Sequence, residues 1–139
     1  MLNIDGYFKS FKYFVLDCEN IELEQDNQIK RAFKKTSVYT ENLKPYLNCD
    51  EFCELINNIW LHFYIVDSNK DSVLYIKYDV GSSSVLVTST SAGGSSASME
   101  VPRTISEGDL FTFDLYRTPY GKFALTILES LKHIALVRL

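Results

Sequence analysis

Apolar residues are dense along this chain, and their spacing predicts helices near the start and strands toward the end. In residues 7–16, Phe11, Tyr13 and Val15 alternate with Lys12, Phe14 and Leu16, which predicts a strand closed by Asp17, Cys18 and Glu19. Residues 20–36 then read as a helix whose inward stripe is Ile21, Gln25, Gln28, Ile29 and Ala32 or Phe33. Acids gather at its start and Lys30, Arg31, Lys34 and Lys35 toward its end, an order that complements the helix dipole. After Pro45, Asn48 and Glu51 have the spacing of a capping box, in which each side chain satisfies a free amide at a helix start. Phe52, Leu55, Ile56, Ile59, Trp60 and Phe63 continue at helical spacing as a core face. Asn57 and Asn58 are expected to break this helix, leaving residues 60–66 as a strand of strong β-formers.

From there the pattern turns toward strands. Residues 60–66 and 73–80 flank the polar loop 67–71, as the arms of an antiparallel hairpin would. Between Asp79 and Glu100 the chain carries no charge, and residues 82–98 are mostly Ser and Thr around Val85, Leu86 and Val87. With Gly93 and Gly94 at its centre, that stretch predicts a second hairpin. Residues 110–116 alternate cleanly, and Thr118, Pro119, Tyr120 and Gly121 read as a turn. Residues 122–139 fit either period and are read as a strand that gives way to mixed structure. The expected fold is therefore α+β: a single domain over residues 1–139, with two N-terminal helices packed on one face of a mainly antiparallel β-sheet.

Composition supports a real core. The chain has 139 residues, 46% of them hydrophobic, with nine Phe, nine Tyr and one Trp. A domain of this size buries roughly two thirds of the surface that its unfolded chain exposes. Three cysteines, Cys18, Cys49 and Cys53, are too few and too odd in number for a disulfide framework, which points to a reducing, cytoplasmic setting. The longest strongly apolar run, residues 59–66, is too short to span a bilayer, and no leader is expected from the first residues. The net charge of −4 argues against nucleic acid, whose affinity for proteins comes largely from basic side chains.

Candidate chemistry is sparse. Asp67, Asn69 and Asp71 match the first positions of a calcium loop, but Ser72 stands where that loop needs Gly and Tyr78 where it needs Glu. Cys49 and Cys53, with Cys18 and His62, could be assembled into a zinc set; buried thiols explain them better, so no metal and no cofactor is expected. His62 and His133 each read as satisfied structural histidines. No nucleophile elbow, phosphate loop or dinucleotide fingerprint is present, and no catalytic residue is assigned.

The class of function that fits is binding. A small acidic domain rich in Tyr, Ser and Asn has the residue types of adaptable protein interfaces. Asp17, Glu19, Glu22, Glu24 and Asp26 form an acidic run suited to steering a basic protein partner. In size and charge alone the chain is similar to the immunity proteins that neutralise bacterial toxins. The expected role is thus inhibition of a partner protein, for example a basic toxin domain, with neither nucleic acid nor membrane as partner. Two alternatives stand beside it: a metal-independent nuclease using His62 and His133, and a homo-oligomer subunit that assembles through an edge strand within residues 80–99.

Overall fold

A computed structural model describes residues 2–83 and 114–138, with residues 82–83 and 132–138 as backbone only. The described residues form α1 Ile4–Glu19, α2 Asn27–Thr40, α3 Cys49–Val66, α4 Val73–Lys77, α5 Val80–Ser83 and α6 Pro119–Arg138. A 3-10 helix, Glu41–Tyr46, joins α2 to the approach to α3. Among the described residues there is no strand, so the expected antiparallel sheet and the α+β class give way to a helical architecture. Most of the second hairpin (84–98) and of the strand expected over 110–116 lies outside the described residues.

The centre of the molecule is α3, with α1, α2 and α6 packed around it. From Phe52 onward its side chains are buried on nearly every face, including Leu55, Ile56, Ile59, Trp60, Leu61 and Ile65. A helix that is apolar all round loses the 3.6-residue stripe, and this is why its second half reads as a strand. The capping box at its start is present as expected: Glu51 N donates to Asn48 Oδ1 at 2.8 Å, and Asn48 N donates to Glu51 Oε1 at 3.4 Å. The expected break at Asn57 and Asn58 does not occur. Asn58 Nδ2 donates to Glu54 O at 2.8 Å and Asn57 Nδ2 to Ser10 Oγ at 3.1 Å, so both amides find partners without opening the helix.

Trp60 is the hub of the core. Its indole lies parallel to Phe11, with centroids 4.0 Å apart at 8°, and 4.5 Å from Phe33. Its Nε1 donates to the Ile29 carbonyl at 3.0 Å. One side chain thereby ties α1, α2 and α3 together.

The first two segments are also reassigned. Residues 7–16 lie within α1, because Tyr7, Phe11, Phe14 and Val15 recur at helical spacing and face the core. Asn20, at φ 56°, ends α1 in the left-handed conformation that Asn tolerates better than most residues. The next helix starts at Asn27 rather than residue 20, capped by Asp26, whose Oδ1 accepts from Ile29 N at 2.9 Å. A cap of this kind contributes about 1 kcal/mol. The acids thus occupy the end of α1 and the connection, with none in the first turn of α2, and the dipole-matched helix is not what forms. Residues 73–77 and 80–83 are short helices rather than a strand, and residues 119–138 are one long helix. Thr118 and Pro119 open that helix: Gly121 N donates to Thr118 Oγ1 at 3.0 Å, and Pro119 takes the first helical position, where its missing N–H costs nothing.

Candidate functional site

The five residues of the acidic run have three different fates. The side chain of Glu19 is 1% exposed and buried under α4 and α6. Its Oε1 accepts from Lys77 Nζ at 2.8 Å, and its Oε2 accepts from the hydroxyls of Tyr78 and Tyr120, which stand 3.3 Å from each other. Burial, followed by the Glu19 carboxylate, pushes the Tyr78 phenol up, while the bond to Glu19 holds Lys77 charged. Three donors on one carboxylate offset the cost of taking it out of water. Asp26 serves as the cap of α2. Asp17, Glu22 and Glu24 remain exposed around the α1–α2 connection. Among the described residues, the single ion pair of these three is Glu22 with Lys12 at 3.7 Å.

A second cluster forms where α6 meets the end of α3. His62 is fully buried. Its Nδ1 lies 2.7 Å from Thr118 Oγ1 and its Nε2 2.8 Å from Asp114 Oδ2, while Arg117 Nη1 donates to Asp114 Oδ1 at 2.9 Å. Thr118 Oγ1 already accepts the Gly121 amide, so its proton is free for Nδ1, and Nε2–H then donates to Asp114. Carboxylate, imidazole and hydroxyl in series have the form of a nucleophile relay. However, the hydroxyl is a helix cap, Thr118 is 1% exposed, and both imidazole nitrogens are committed. The group locks α6 onto α3, with His62 buried and both of its ring nitrogens bonded. The side chain of His133 lies outside the described residues.

Burial alone would raise the Asp114 carboxyl, but the hydrogen bonds from His62 and Arg117 and the charge of the Arg117 guanidinium outweigh it and hold the group below the usual carboxylate range. A depressed folded value stabilises the fold above the unfolded pKa of about 3.9, and that contribution is lost as pH falls through the folded value. Asp114→Asn should therefore be less stable than wild type at neutral pH, with the gap in urea midpoint closing as the pH is lowered below about 4. A gap that stays constant from neutral to acid would contradict the lock as drawn.

The cysteines differ from expectation, since Cys18 and Cys49 are exposed and Cys53 half-buried rather than fully buried. Burial and then the neighbouring Asp17 and Glu19 raise the Cys18 thiol; burial, Cys49 and Asp50 raise Cys53. Both shifts disfavour the nucleophilic thiolate. Among the described residues no three His, Cys, Asp or Glu side chains converge as metal ligands, and His62 does not join the cysteines. In the loop read against the calcium pattern, Asp71 N donates to Asn69 Oδ1, Asp67 pairs with Lys35 at 2.6 Å, and Ser72 caps α4.

The sequence did not reveal Tyr78, Tyr120, Asp114 or Thr118 as partners of Glu19 and His62. The separations are 59, 101, 52 and 56 residues, beyond the reach of any local pattern. Among the described residues no helix is long and apolar enough to cross a membrane. Compared with protein-family models, with curated proteins and with solved structures, the chain matches none.

Proposed function

We propose that this chain is a cytoplasmic protein-binding domain that acts by covering the surface of a basic partner and so inhibiting it, in the manner of an immunity protein. The observation that carries this reading is the α1–α2 connection, where Asp17, Glu22 and Glu24 stay exposed while Glu19 and Asp26 are used up by the fold. Carboxylates held at the rim of a rigid surface accelerate encounter with a cationic protein and weaken as salt rises. The excess of acids over bases in the whole chain acts in the same direction.

The test is co-purification from native cells at low salt, followed by affinity measurement at rising ionic strength. The double reversal Glu22→Lys with Glu24→Lys should weaken the captured partner by about tenfold or more and flatten the salt dependence. Its urea midpoint should stay near wild type, because both side chains are exposed. Failure to capture any protein, or unchanged binding by the reversed variant, would remove the proposal.

A further inference from the structure

Phe14 forms a ridge between two depressions on the surface made by α1, α3 and α6. On one side an open groove of about 840 Å³ runs beside Tyr13, Leu16, Asp17 and Asn20, with Asn57 among its lining residues. On the other side a smaller hollow of about 280 Å³ lies between Cys18, Glu54, Tyr120 and Phe123. Helical spacing builds both: Tyr13, Asp17 and Asn20 make one stripe of α1, and Phe14 and Cys18 make the next.

Three large apolar side chains remain open to solvent here, Tyr13 at 62%, Phe123 at 44% and Leu16 at 41%. Their setting is held in place. Phe14 meets Tyr120 edge-on at 5.9 Å, Tyr120 is tied to the buried Glu19, and Asn57 is bonded to Ser10. A pre-ordered surface loses little entropy on binding. Asp17 on one side of the ridge and Glu54 on the other are exposed, and among the described residues neither has an ion pair and no Lys or Arg lines either depression.

We infer that the two depressions joined by Phe14 are the seat for a segment of another protein in which Lys or Arg flank large apolar side chains. This rests on the protein-binding reading and gives it a location: the acidic connection steers, and the aromatic seat holds. Charge selects this occupant over the others. A second copy docking through the same patch would bring the Asp17 and Glu54 carboxylates of both copies into one interface, with no cation among the described lining residues to relieve the repulsion. Residues 84–113 of this chain offer one cation, Arg103, against Glu100, Glu107 and Asp109. A partner with basic residues beside apolar anchors matches both the carboxylates and the exposed rings.

A phage-displayed library of random peptides sorted against the whole chain tests this directly. Selected peptides should be enriched in Lys or Arg beside Leu, Phe or Trp, and should lose about tenfold or more in affinity on Asp17→Lys and on Phe123→Ser. Both positions are exposed, and circular dichroism verifies that each variant is folded. A photoreactive phenylalanine analogue placed at position 123 should cross-link to the selected peptide. Cross-linking to a second copy or to residues 84–113 instead, or selections without basic bias, would overturn the seat. Peptides that ignore Asp17→Lys and Phe123→Ser but respond to reversal at Glu22 and Glu24 would overturn the seat while sparing the acidic connection. A library that yields no binder would count against both.

Discussion

Gly121→Ala should be among the most damaging single substitutions in the chain, with a loss of about 3 kcal/mol or more in urea unfolding. A Cβ built on Gly121 would stand 2.1 Å from the Leu115 carbonyl oxygen and 2.8 Å from His62 Nδ1. Neither neighbour can give way cheaply. The first is backbone, and the second is an imidazole fixed at both nitrogens by Asp114 and Thr118. To admit one methyl group the first turn of α6 must move away from both the Leu115 backbone and the His62 ring, which disrupts the contacts that hold α6 on α3. Gly6→Ala is the matched control. It lies inside α1 with nothing within 4 Å of an added Cβ, so it should gain about 0.5–1 kcal/mol. Equal midpoints for the two variants would mean that α6 does not approach α3 as described.

The second large effect is expected at Trp60. Trp60→Ala removes the stacking partner of Phe11 and the neighbour of Phe33, and opens a void where α1, α2 and α3 converge. The expected cost is about 3–5 kcal/mol. Trp60→Phe keeps an aromatic face but gives up the bond to the Ile29 carbonyl, and should cost much less, about 1 kcal/mol for the bond plus a smaller packing loss. Trp60 is the sole tryptophan, so the series must be followed by far-ultraviolet circular dichroism rather than by indole fluorescence. If Trp60→Ala and Trp60→Phe unfold at the same midpoint, the aromatic hub is not what holds the three helices.

The sequence was most legible where local chemistry decides the structure. Asn48 and Glu51 marked the start of α3 because a capping box is complete within four residues, and Phe52 through Phe63 followed at the right spacing. It was least legible where burial is total. Residues 60–66 read as a strand because a helix enclosed by three others has no polar face to reveal its period. The same density of aromatics disguised α1, where side chains at helical spacing also alternate over a short window. The boundary at Asn20 turned on one left-handed residue, and its Asn was read as the beginning of a helix rather than the end of one.

The candidate site divides in the same way. Asp17, Glu22 and Glu24 could be found because a charge run is visible in any sequence. That Glu19 would leave the run for the interior could not, because the pull comes from two tyrosines far along the chain. The apolar neighbours of His62 signal its burial, whereas the carboxylate and hydroxyl that bond its two ring nitrogens come together only once α6 has docked.

By accepting from Tyr78 and Tyr120 with one oxygen and from Lys77 with the other, the buried Glu19 carboxylate fastens the end of α4 and the start of α6 to the last turn of α1. Substitution at position 19 is thereby coupled to positions 78 and 120, and the three are expected to drift in concert over evolution rather than singly.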